Sequence, residues 1–241
     1  LNLASAGAGG AIIDASGTGA LVFTGSVTNV ATTGTKTLTL NGTATGNDFQ
    51  GVISDGGLGG VVASLALCRP DSRRFLIVGS GTQAYWLARS LQHLAPRAEI
   101  AIWGRDAGRA SALVARLQGA TVVPDLEQAC RNADVILTAT PAAKPLIRID
   151  WIRPGCHITA IGADSPGKQE LETALVARAD LRVADNIAQS LDHGEFAHAR
   201  AAGLIGPGDC MELGAVLAGS SARRAPDDIT IADLTGVATQ D

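Results

Sequence analysis

The sequence has no C-x-x-C pair. Its four cysteines, Cys68, Cys130, Cys156 and Cys210, stand far apart, so no tetrahedral zinc site can be closed from neighbouring thiols and reduced, mostly buried thiols are expected. The stretch "LDHGEFAHA", with Asp192, His193, Glu195 and His198, has neither an i,i+4 histidine pair nor a third ligand at a recognisable spacing, so no metal is expected there. There is no run of about 18 apolar residues to span a bilayer. The first residues lack the basic and apolar regions of a signal peptide and an initiator Met; the expectation is a chain that begins inside a longer reading frame or was cut there. A basic stripe is also missing. With a formal net charge of −4, a nucleic-acid or membrane partner is not expected.

The absences are uneven. Residues 1–57 contain no His, Cys, Met or Pro and only four charged residues, Asp14, Lys36, Asp48 and Asp55, while 38 of the 42 charged residues come later. What the first stretch does have is 12 Gly and 10 Thr. Short alternating apolar runs such as "TKTLTLNGT" sit between Gly, Asn and Thr punctuation, a pattern of short strands and tight turns. Each such unit buries one thin face and gains stability by stacking, so a β-solenoid-like arrangement of rungs is expected, with a low-complexity linker as the alternative. The composition changes at Gly57–Gly60, which divides the chain into residues 1–57 and 58–241.

The second text is of another kind. In "RRFLIVGSGTQA" an apolar strand, Phe75 to Val78, runs directly into Gly79, Ser80, Gly81, Thr82, Gln83 and Ala84, and a helical repeat of Ala84, Leu87, Ala88, Leu91 and Leu94 follows. In a strand–glycine turn–helix unit, Gly79 permits the tight turn, Gly81 lets a pyrophosphate approach the backbone, and Ala84 lets the helix pack on the strand. Orphan amides and the partial positive charge at the helix start suit phosphate. Strands and helices then alternate through "EIAIWGR", "DAGRASALVARLQ", "ATVV", "DLEQACRNA", "DVILTAT", "HITAIGA", "KQELETALVARA" and "LRVAD". The predicted fold is α/β, a Rossmann-type doubly wound and largely parallel sheet of about six strands, with ligands at the strands' carboxyl ends.

Those ends supply the candidate site. "IWGRD" places Gly104 and Arg105 where an acidic residue would bond the adenosine ribose, so Arg105, with Arg109, suits a 2′-phosphate, or else is a solvated loop arginine. Thr138, Ala139 and Thr140 offer hydroxyls and backbone beside a nicotinamide ribose, although threonine at a strand end also follows from β-propensity. In "IGADSPGKQEL", Asp164 follows a strand that ends in the crevice, and Lys168 and Glu170 are read as opening the next helix. Asp164 is either a proton acceptor for amine-to-imine chemistry or a turn cap.

The motifs "VGSGTQA", "IWGR", "TATP", "WIRPGCHITAIGADSPGKQEL", "ARADLRVAD", "ELGAVLAG" and "DDITIADLTGVATQD" resemble the ornithine cyclodeaminase/mu-crystallin family, which includes ketimine reductases and the archaeal type of alanine dehydrogenase. The resemblance implies a glycine turn holding NAD(H) or NADP(H), with NADP favoured by Arg105, a substrate that is a small amino acid or cyclic imine, Asp164 as catalytic acid/base, a cytoplasmic location and a homodimer. It also implies a substrate and dimerisation domain before the nucleotide domain, in whose place the Gly/Thr-rich stretch stands, and a chain that stops inside the family's "TGVATQD" motif, before the segment that returns to that domain. Stretches such as "IDASGTGALVFTG" and "GVISDGG" resemble passenger-associated repeats of bacterial autotransporters, which are secreted or cell-surface proteins. Three expectations therefore compete: an NAD(P)-dependent enzyme domain, a fragment of a secreted structural protein, and a chimeric product without its own function.

Overall fold

The computed structural model describes residues 58–217 and 225–235, together with seven short strands in the first 54 residues. Two units are formed, Leu1–Gly56 and Gly57–Val237. In the first, β1 (Asn2–Leu3), β2 (Gly9–Asp14), β3 (Val22–Phe23), β4 (Val27–Asn29), β5 (Lys36–Asn41), β6 (Asp48–Phe49) and β7 (Ile53–Ser54) pair only in parallel. Asn2 faces Thr28, Gly9 faces Lys36, Val22 faces Asp48 and Val27 faces Ile53. The expectation that each rung buries one apolar face concerns side chains outside the described residues.

The second unit begins with α1 (Leu58–Leu67) and continues β8 (Arg74–Val78), α2 (Thr82–Leu94), β9 (Glu99–Trp103), α3 (Ala107–Val114), β10 (Ala120–Val122), α4 (Leu126–Asn132) and β11 (Val135–Thr138). Beyond these come β12 (Ala143–Ile147), β13 (His157–Ala160), β14 (Gln169–Leu171), α5 (Thr173–Arg178) and β15 (Leu181–Ala184). The unit ends with α6 (Ile187–His193), α7 (Glu195–Ala201), β16 (Cys210–Glu212), α8 (Leu213–Leu217) and β17 (Thr230–Asp233). Eight strands form one parallel sheet in the order β10-β9-β8-β11-β13-β17-β15-β16. The sequence predicts about six; β16 and β17 are the additions. β17 sits between β13 and β15, with Ile231 opposite both Ile158 and Arg182.

Alternation along β8 explains why the sheet is covered on both faces. Phe75 and Ile77 enter the core shared with Leu87, Leu91 and Ile102, while Leu76 and Val78 enter the core shared with Ile136, Ile158 and Phe196. All four are buried, as a central parallel strand requires. The helix α1 is fixed to the sheet by a buried polar chain: the Ser64 hydroxyl meets Thr159 Oγ1 at 2.6 Å, and His157 bridges Thr159 and Thr230 at 2.8 Å each.

One predicted element is corrected. "KQELETALVARA" is not a single helix, because Gln169–Leu171 pairs in parallel with β12 as a strand and the helix starts only at Thr173. Glu170 is therefore a strand residue, fully buried, and not the opening of a helix.

Candidate functional site

The strand order reverses between β8 and β11, and the segments that follow their carboxyl ends border a crevice, the place where open α/β sheets bind their ligands. A cleft of about 340 Å³ lies there, walled by Gly79, Gly81, Arg105, Arg109, Ala139 and Thr140 among others. Five of the sequence-predicted residues, Gly79, Gly81, Arg105, Ala139 and Thr140, are thus brought together.

Two glycines in the turn are glycines for different reasons. Gly79 has φ +139°, and a Cβ there would stand 2.5 Å from the carbonyl oxygen of Ala139; the fold itself demands it. Gly81, at φ −91°, caps α2, and a Cβ added to it would meet nothing within 4 Å. Neither backbone nor packing asks for glycine at 81, which leaves open space directly over the first turn of α2. Thr82 and Gln83 are exposed on that turn, whereas Ala84 is buried against the sheet as its small size predicts.

Arg105 and Arg109 are exposed at one end of the cleft. Arg109 approaches Asp106 at 3.8 Å, and the Asp106 carboxylate accepts a hydrogen bond from the Arg109 amide at 3.0 Å as the cap of α3. Asp106 also lines the cleft. Sequence reasoning passed over it because it follows Arg105 by one residue and carries the signature of a helix cap.

At the other end Thr138 does not face the cleft but is buried behind it. Its hydroxyl donates to Glu170 Oε2 at 2.6 Å, and the same carboxylate accepts from the Thr140 amide (2.7 Å), the Thr140 hydroxyl (2.7 Å) and the Gly162 amide (2.8 Å). Burial pushes the Glu170 carboxyl up, and these four donors pull against it. Glu195 supports the strand that carries Glu170, accepting from the amides of Glu170 (2.5 Å) and Leu171 (3.0 Å). In the sequence Glu195 is legible only as a member of the "LDHGEFAHA" cluster, with nothing to show that it points inward.

Asp164 lies on the turn between β13 and β14, exposed, and forms an ion pair of 2.5 Å with Lys168. It is not among the residues that line the cleft. The histidines of "LDHGEFAHA" are separated in role: His193 faces Asp192, and His198 bonds the Lys168 carbonyl oxygen at 3.0 Å. Among the described residues no group of three or more His, Cys, Asp or Glu could hold a metal ion, and no helix is long and apolar enough to cross a membrane.

The model of the ornithine cyclodeaminase/mu-crystallin family matches residues 28–241. That match reaches back into the Gly/Thr-rich stretch, past the compositional boundary at Gly57. An uncharacterized cyclodeaminase of Sinorhizobium fredii is 40% identical over 189 residues, covering 76% of this chain and 57% of its own length. The alanine dehydrogenase of Archaeoglobus fulgidus is 37% identical over 191 residues, 77% of this chain and 58% of its own. Among solved structures, an archaeal alanine dehydrogenase dimer with bound NAD superposes with a TM-score of 0.71 at 37% identity, over 77% of this chain and 59% of that one. The chain spans little more than half the length of these relatives. A glycine turn at the switch point of a parallel sheet is common to many proteins; the match over most of this sequence is specific, and the chain belongs to the ornithine cyclodeaminase/mu-crystallin family.

Proposed function

We propose that this chain is the nicotinamide-dinucleotide-binding part of an enzyme acting on a small amino acid or a cyclic imine. The observation that carries the reading is the cleft at the β8/β11 switch point, with unused space over Gly81 and two arginines at one end. The α2 amides and the Gly79–Gly81 backbone would receive the pyrophosphate. Arg105 and Arg109 would take a 2′-phosphate, which favours NADP over NAD, while Ala139 and Thr140 would border the nicotinamide end. A ring bound there gives or accepts hydride.

Asp164 would carry the proton of the amine-to-imine step. Lys168 holds its carboxylate now, and a substrate ammonium group would compete for it. Support comes from relatives whose names describe an alanine dehydrogenase and a Δ1-pyrroline-2-carboxylate reductase. Proton transfer of this kind contributes about 10²–10⁴-fold, whereas orientation of the substrate is worth roughly 7–11 kcal/mol in favourable cases. Positioning is the larger effect, and in our reading the residues that hold the substrate belong to the part of the relatives' length that these 241 residues do not span.

The test follows nicotinamide absorbance with L-ornithine, L-alanine and a cyclic ketimine, for this chain and for a version in which a relative's N-terminal portion replaces residues 1–57. Turnover is expected only in the second, and there Asp164→Asn should abolish it. Comparable turnover by the 241 residues alone would refute the division of labour, and full activity of the Asn variant would remove Asp164 from the chemistry.

A further inference from the structure

Three carboxylates are buried in a row behind the cleft, and the hydride chemistry uses none of them. Glu170 accepts four hydrogen bonds, from Thr138, from Thr140 twice and from Gly162. Glu195 on α7 accepts the amides of Glu170 and Leu171. Asp233 on β17 accepts the amides of Glu195 and Phe196, the latter at 3.2 Å. Each rung thus holds the backbone of the rung in front of it. Two glycines mark how closely the ladder is packed: a Cβ at Gly162 would stand 2.6 Å from the Glu170 carboxylate, and one at Gly194 would stand 2.5 Å from Thr235 Cγ2 while striking Asp233.

No cation of the described residues compensates this charge. Among the described residues none of the three carboxylates forms an ion pair. Lys168, two positions before Glu170, turns to Asp164, and His198 on α7 bonds the Lys168 carbonyl. Asp185 adds a further negative charge near Asp233. Three adjacent carboxylates in such a place disfavour one another's ionisation.

We propose that Glu170 is a positioning residue for the dinucleotide cleft: its carboxylate gathers Thr138, Thr140 and Gly162 into the wall beside the nicotinamide, on a strand whose backbone Glu195 holds from behind. Two of its four donors are backbone amides, which cannot reverse, so a protonated Glu170 would release part of that wall. Burial, added to by the charges of Glu170 and Asp233, pushes Glu195 well above the ordinary carboxylate range, and burial pushes Asp233 up to about 8. The role assigned to Glu170 rests on reading the cleft as a dinucleotide site.

Two measurements on the full chain test it. In the ligand-free protein, the amide resonances of Thr140 and Gly162 should titrate together, with one midpoint above the usual glutamate value, and should not titrate in Glu170→Gln. Thr138→Val, which removes one donor, should move that midpoint upward. In titrations with NADPH and NADH, Glu170→Gln should bind roughly tenfold more weakly than wild type or worse. Unmoved amides, an unshifted midpoint in Thr138→Val, or wild-type cofactor binding by Glu170→Gln would overturn the proposal. Failure of the cleft reading is recognised separately, as a wild-type chain that binds neither cofactor; that result removes the positioning role as well.

Discussion

The sharpest test of the cleft is a methyl group placed where the fold has no use for the space. Gly81→Ala adds one Cβ that meets nothing within 4 Å, at a φ of −91° that alanine adopts freely. Alanine reduces the entropy of the unfolded chain, about 0.4–1 kcal/mol in favour of the variant. It is also a poorer helix cap than glycine, by a similar amount against. The net change in stability should fall within about 0.5 kcal/mol, which for a unit of this size moves the melting temperature by roughly 1–2 °C. Binding should respond quite differently, because the methyl stands over the amides at the start of α2. Losing one charge-assisted phosphate contact costs about 1.5–3 kcal/mol, or roughly 10–150-fold in affinity. Gly79→Ala is the contrasting variant: its Cβ would stand 2.5 Å from the Ala139 carbonyl oxygen at φ +139°, and strain of about 1–3 kcal/mol, with the clash on top, should lower the melting temperature before any ligand is added. Thermal unfolding together with a titration of NADPH fluorescence reads both quantities. A Gly81→Ala protein that binds cofactor as wild type does would show that the space over α2 is not a phosphate site.

Three further outcomes are expected. Arg105→Asp should narrow or reverse a preference for NADPH over NADH, measured as the ratio of the two dissociation constants, and an unchanged ratio would assign the preference elsewhere. Asp134, buried beneath the sheet, accepts the amides of Arg73 and Arg74 at 3.0 and 2.9 Å and the side chains of Arg69, Arg74 and Arg153. Burial opposes its charge, yet the Arg74 side chain and the two amides hold the carboxyl well below its usual range, so its stabilisation is complete above about pH 4 and is lost as the pH falls further. Because the arginines are 22–46% exposed, Asp134→Asn should cost about 2–3 kcal/mol at neutral pH in denaturant unfolding and less at pH 3; equal costs at both would refute the linkage. Asp233 has the opposite sign: with its carboxyl raised to about 8, the contribution of its protonated form is complete below about pH 4 and is lost as the pH rises through about 8, so Asp233→Asn should gain on the order of 2–4 kcal/mol relative to wild type between pH 5 and pH 9. Parallel pH profiles for the two proteins would count against it.

What could be read from the sequence was local. Phe75 to Val78, the turn at Gly79–Gly81 and the spacing of Ala84, Leu87, Ala88 and Leu91 lie within one strand and one helix, and each residue's reason is visible beside it. Glu170 was misread because its neighbours are remote. Gln169–Leu171 becomes a strand only by pairing with β12, whose residues Ala143–Ile147 include an exposed proline-containing stretch with no strand signature of its own. The apolar residues Leu171, Leu175 and Val176 meanwhile fall at helical spacing and suggested a helix reaching back to Lys168. The roles of Asp134 and Glu195 are illegible for the same reason, since partners 60 residues away for the one and 25 for the other leave no trace in a window. The candidate proton carrier, Asp164, was identified through the family motif, and the structure adds its pairing with Lys168.

The position of β17 has a consequence for how the chain is made. Its two neighbours, β13 and β15, end at Ala160 and Ala184, yet the strand that joins them starts only at Thr230. During synthesis both must wait with one edge unpaired, and β16 can bind only to β15, so the eight strands exist as two separate sheets until residues 230–233 emerge and wedge between them. Such late, long-range insertion is slow and leaves open edges available to other chains. A protease that removed residues from Thr230 onward would therefore not trim the sheet but cut it in half, leaving the piece bearing β15 and β16 tied to β14 through Glu195 instead of through the sheet.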